Sequence, residues 1–196
     1  VYKERKVSKS PLPNYIFLRD GAVDKPKVGD INELYGKRWA AVAGMPLEKG
    51  IALSVGMKLF DVKEENDIDL DLNNKANNVI KALKHFDAVY IHIKQTDSFS
   101  HLGKFVEKYQ TIEKIDKILI GRLMEAGFTS DGSTFVLTCD HVTSSIKMRH
   151  LNSNIPVLIS NDKFGPISDF GESACISNHR KDIRTATDIM PFVMKL

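Results

Sequence analysis

The amino-acid sequence predicts an α/β fold, a mostly parallel sheet with helices on both of its faces. Three observations lead there. Six short apolar runs are nearly continuous, two longer stretches between them carry apolar residues at helical spacing, and the turns joining strand to helix are short.

In chain order, NYIFLRD (14–20), RWAAVAG (38–44), MKLFDV (57–62), DAVYIHIK (87–94), STFVLTCD (133–140) and IPVLIS (155–160) read as strands. Apolar runs without polar alternation suit a sheet buried on both faces. LNNKANNVIKALKHF (72–86) and KFVEKYQTIEKIDKILIGRLMEA (104–126) read as helices, the second with Val106, Ile112, Ile115, Ile118, Leu119 and Leu123 as its apolar stripe. Glycines 29, 36, 44, 50 and 56 punctuate the first third at turn positions. No GxGxxG or GxxxxGK[ST] follows a strand, so neither a dinucleotide nor a P-loop site is indicated.

Composition narrows the function classes. A chain of 196 residues, 42% of them hydrophobic, can bury a proper core and reads as one domain or most of one. The net charge of +3 comes from 28 basic and 25 acidic residues interspersed along the chain, which argues against nucleic acid as a partner. The basic opening VYKERKVSK lacks interleaved aromatics, and residues 1–13 read as a linker. No apolar run reaches the roughly 18 residues that span a bilayer, and Val1 opens no signal-peptide core, so the expected location is the cytoplasm, away from membranes. Cys139 and Cys175 form no CxxC pair and read as free thiols.

Ligands of open parallel sheets bind beyond the carboxyl ends of the strands. There the chain collects metal-capable side chains: Asp97 and His101 in QTDSFSH after one strand, Asp140 and His141 after another, and His150 shortly before IPVLIS. Carboxylate with imidazole suits zinc or manganese, and two such ions can stabilise the entering and leaving oxygens of a phosphoryl transfer. Taken singly, each motif has a plainer reading. Asp140 can be a helix N-cap beside a surface imidazole, and Asp97 and His101, four residues apart, can simply hydrogen-bond on one helix face. His92 reads as a packed strand residue, and His85 and His179 as solvent-facing.

VYIHIKQTDSFSHLGKFVEKYQTIEKIDKIL followed by FVLTCDHVTSSIKMRHLNSNIPVLIS resembles the archaeal type of cofactor-independent phosphoglycerate mutase, of the alkaline phosphatase superfamily. NYIFLRDGA, PLEKGIALSVGM and TDIMPFVMKL extend the resemblance over nearly the whole chain. It implies an alkaline-phosphatase-like fold, incomplete here, with residues 1–196 as the C-terminal portion of the metal-binding domain. The implied activity is isomerisation of 3-phosphoglycerate and 2-phosphoglycerate, in glycolysis and gluconeogenesis, through a phosphoserine. Asp97, His101 and His150 are implied as ligands of one divalent ion, manganese or zinc, and Asp140 with His141 as part of a second site. The resemblance further implies that an Asp and the nucleophilic Ser lie in a missing N-terminal half, so that this chain alone is inactive. Arg19 and Lys49 are candidates for a substrate phosphate, although Asp20 beside Arg19 can neutralise it. Cys139, Val142 and Ser145 stand where the family carries Gly, Ser and Pro, and Leu102 where an Asp commonly follows the His. Such changes around the ligands alter how they are held. Another phosphomonoesterase of the superfamily, or a non-catalytic metal-binding domain, is the alternative.

Overall fold

The computed structural model describes residues 21, 23–24, 26–128, 132–164, 170–177 and 182–196. The expected strand at 14–20, with Arg19 and Asp20, the linker at 1–13 and His179 lie outside them.

The strands expected at 38–44, 57–62 and 87–94 and the helix expected at 72–86 all form, with two further short helices that the apolar period did not single out. After a short helix α1 (Ile31–Tyr35), strand β1 (Trp39–Ala43) leads into α2 (Pro46–Ser54), β2 (Lys58–Asp61), α3 (Ile68–Leu83) and β3 (Ala88–Ile91). The three strands form a parallel sheet in the order β2-β1-β3. Central β1 is buried through residues 40–43. Val42, aligned with Phe60 and Ile91 on its neighbours, faces a core that includes Val62, Leu72, Ala76 and Val79 from the β2–α3 segment. On the other face Tyr90, the neighbour of Ala41, lines a cavity with Glu48, Ile51 and Ala52 of α2. Helices therefore cover both faces, as the apolar runs required. The flanking strands are less enclosed: β2 leaves Lys58 and Asp61 exposed and β3 leaves Tyr90.

The second half departs from a simple parallel continuation. Helices α4 (Gln95–His101) and α5 (Phe105–Lys114) follow β3, then a π-helical turn (Ile115–Ile120) and α6 (Gly121–Glu125). A π-turn accommodates an extra residue and rotates the helix face. Ile115, Ile118, Leu119 and Leu123 pack on the core, whereas Val106 and Ile112, placed in the same stripe by an unbroken helical period, are 59% and 51% exposed. Strands β4 (Phe135–Thr138) and β7 (Val157–Ser160) pair antiparallel, because between them the chain makes a hairpin, β5 (Val142–Ser144) with β6 (Arg149–Leu151), and no crossover helix. Helices α7 (Glu172–Ser177) and α8 (Ala186–Val193) complete the described residues. Among the described residues no helix is long and apolar enough to cross a membrane, and both cysteines are free thiols.

One polar cluster lies within this apolar frame. Lys75 on α3 is wholly buried, with its Nζ 2.7 Å from Asp71 Oδ2 and 3.1 Å from Glu64 Oε1. Gln95, the first residue of α4, donates its Nε2 to Asp71 Oδ2 at 2.8 Å and Glu64 Oε2 at 3.1 Å. The Glu64 carboxylate sits over Gly44 at the end of β1, where a Cβ would lie 2.1 Å from Oε1, so a larger residue there would have to push the carboxylate off Lys75 and Gln95. The cluster thus ties the loop after β2 to the start of α4. Lys75→Met should destabilise the fold by about 3–5 kcal/mol in denaturant melts, because Asp71 would remain buried without its cation. Adding Asp71→Leu to that variant should recover part of the loss; equal stability of wild type and Lys75→Met would show the cation to be dispensable.

Candidate metal centre

The site grows out of two local features, α4 and the β5–β6 hairpin. Helix α4 starts within a few residues of the end of β3, so Asp97 in its first turn and His101 in its last share one face. It stops directly after His101 in a Schellman turn: Lys104 N–H donates to Phe99 O at 2.9 Å, Gly103 N–H to Ser100 O at 3.1 Å, and Gly103 takes φ +68°. Met148 of the hairpin turn lies against Gly103. The hairpin sets Thr143 opposite His150.

The structure brings together all five residues that the sequence singled out for metal binding. Asp97 Oδ1, His101 Nε2 and His150 Nε2 form a triangle with sides of 3.0 Å between the imidazoles, 3.4 Å from Asp97 to His101 and 3.5 Å from Asp97 to His150. A tetrahedral ion about 2.0–2.1 Å from its ligands has ligand–ligand edges of about 3.3–3.4 Å, and an octahedral one edges near 3.0 Å. The triangle therefore fits the face of a coordination polyhedron, and these three donors can hold one cation. The ring of His141 stacks on His150 with centroids 3.7 Å apart, and its Nε2 lies 3.2 Å from Asp140 Oδ2. Asp140 is 80% exposed and open to further groups.

Surrounding bonds orient the donors. Asp97 Oδ2 takes a hydrogen bond from Lys94, leaving Oδ1 for the triangle. Burial pushes the Asp97 carboxyl up, but the hydrogen bonds from Lys94 and Thr143 and the nearby charges outweigh it and hold the group at about 2. It is a carboxylate at any pH near neutrality. His101 Nδ1 lies 3.2 Å from the carbonyl oxygen of Met148, which can only accept, so that nitrogen carries the proton and Nε2 is free to face the triangle. Met148 is the one non-glycine described with positive φ, at 51°, a backbone strain that coincides with this contact.

Other residues meet different outcomes. Lys49 on α2 is paired with Asp61 Oδ1 at 2.5 Å. His85 is exposed, as expected. His92 lies just past β3 and not within it, with Nε2 3.5 Å from Glu48 Oε1. Desolvation, with the carboxylates of Asp140 and Glu172, pushes the Cys139 thiol up. Sequence reasoning missed Lys94, Thr143 and Met148. Lys94 has a local signal, a cation three residues before Asp97; the other two act only through the hairpin.

The model for the Metalloenzyme superfamily matches residues 18–196. A 2,3-bisphosphoglycerate-independent phosphoglycerate mutase of Pyrobaculum neutrophilum is 31% identical over 198 residues, aligning 97% of this chain with 46% of that protein. The chain spans about half the length of the curated relatives it matches. Among solved structures, a Pyrococcus horikoshii protein superposes with TM-score 0.73 at 23% identity, over 87% of this chain and 52% of its own. The cofactor-independent phosphoglycerate mutase from Thermoplasma acidophilum does so with TM-score 0.61 at 19% identity, over 87% of this chain and 39% of that one. At these identities the superpositions establish a shared fold.

Proposed function

The chain belongs to the metalloenzyme superfamily, and from that premise we propose that it forms part of a metal-dependent phosphoglycerate mutase interconverting 3-phosphoglycerate and 2-phosphoglycerate. The observation that carries this reading is the convergence of Asp97 Oδ1, His101 Nε2 and His150 Nε2 from α4 and β6 on one point. In this reading those three hold one divalent ion, manganese or zinc, and Asp140 with His141 contribute to a second. Bound there, such ions supply positive charge for the oxygens between which a phosphoryl group moves. The chain's own residues prepare that chemistry: Lys94 restricts Asp97 to one ligating oxygen, and Met148 O fixes the ring of His101.

The phosphoserine of the reaction is assigned to the part of the mutase length that this chain does not span. Ser98, Ser100, Ser144 and Ser145 lie near the ligands, but none occupies a strand-to-helix turn near the start of the chain. Ser100 is buried and spends its hydroxyl on Thr96 O at 2.8 Å. Arg19 and Lys49 stay candidates for the substrate phosphate, and a cytoplasmic, glycolytic setting goes with the reading.

The test is a protein completed with an upstream half of mutase length, supplied with manganese and 3-phosphoglycerate. Formation of 2-phosphoglycerate without release of inorganic phosphate supports the mutase. Stoichiometric phosphate release would make it a phosphomonoesterase, and metal binding with neither product a non-catalytic domain.

A further inference from the structure

The geometry points to Thr143 as the positioning residue that joins the two halves of the centre, a role that rests on the metal reading above. Its side chain is 5% exposed. Oγ1 lies 2.7 Å from Asp97 Oδ1 and 3.0 Å from His141 Nδ1. A hydroxyl has one proton to give. A carboxylate can only accept, so the proton goes to Asp97 Oδ1. Oγ1 must then accept from His141, which places that imidazole's proton on Nδ1. Nε2 is left as the nitrogen with a lone pair, and it faces Asp140 Oδ2 at 3.2 Å. A cation bound by both atoms would satisfy two acceptors at that distance.

One hydroxyl thereby does two things. It holds the ligating oxygen of Asp97 in the triangle, and it selects the His141 tautomer that turns Nε2 toward Asp140. Thr143 can do both because its carbonyl is anchored by Lys108 Nζ at 2.9 Å and its backbone is aligned with His150. Metal held by Asp97, His101 and His150 is thus linked through Oγ1 to the orientation of the Asp140–His141 pair. Serine can replace threonine in this arrangement; valine, of the same shape, cannot.

Two measurements on this chain test the role. Long-range proton–nitrogen correlation spectra of the metal-free wild type, at a pH where imidazole is neutral, should show His141 protonated at Nδ1, and the Nε2-protonated tautomer would overturn the inference without any variant. In zinc titrations, Thr143→Val should weaken binding about ten- to a hundredfold and leave His141 a mixture of tautomers, with Thr143→Ser restoring both. Unchanged affinity and tautomer in Thr143→Val would equally overturn it. A wild type that binds no zinc defeats the metal reading instead, and the His141 spectrum still decides the role of Thr143.

Discussion

Replacing His101 by alanine should remove divalent-metal binding from this chain. Wild type offers three protein donors in one triangle, the number at which a zinc-type site becomes persistent. His101→Ala leaves Asp97 and His150, two donors that solvent can displace. Calorimetric titration with zinc or manganese should give about one ion bound to wild type at micromolar metal and no resolved binding to the variant. The fold itself should persist, since His101 is 41% exposed and outside the core. Metal binding to the native state adds stability by mass action, about 2.7 kcal/mol at a hundredfold excess over Kd, so added zinc should raise the Tm of wild type and a chelator should reverse it. His101→Ala should show neither shift. Titrations of wild type and variant that superimpose would remove His101 from the site.

In the completed protein, Asp140→Asn should lower turnover by on the order of a thousandfold, the scale of losing one main electrostatic contributor at a reacting oxygen. The change replaces a charged donor by a neutral one of the same shape. Asp140 is 80% exposed at the rim, so denaturant melts should match those of the parent. Enolase converts 2-phosphoglycerate to an absorbing product and makes turnover continuous to follow. The chain of 196 residues by itself should show none above background with 3-phosphoglycerate and manganese, since none of its described serines has the nucleophile's setting. Turnover by the isolated chain would expose an overlooked nucleophile, and an Asp140→Asn variant of full activity would take that carboxylate out of the chemistry.

Legibility in the sequence followed how local each signal is. The run WAAVA could only be a strand buried on both sides, and β1 is that strand. Asp97 and His101 sit four residues apart after an apolar strand, and the helical period alone puts them on one face. Val106 and Ile112 leave the stripe because six residues of π-helix interrupt the helical period and turn the face.

By itself, then, the sequence determined the strands of a parallel sheet, the long helix between β2 and β3 and the identity of five metal-capable residues, because period and residue type are properties of neighbours along the chain. Tertiary structure alone decided that those residues form a site. His150 reaches His101 across 49 positions only because β5 and β6 pair and their turn, with Met148 at φ 51°, packs on the end of α4. The hydroxyl of Thr143 and the buried Lys75 acquire roles in the same way, from groups brought close by folding. A hydrogen bond or a coordination edge is satisfied within a few tenths of an ångström, and that precision comes from packing between distant segments, which no local pattern encodes.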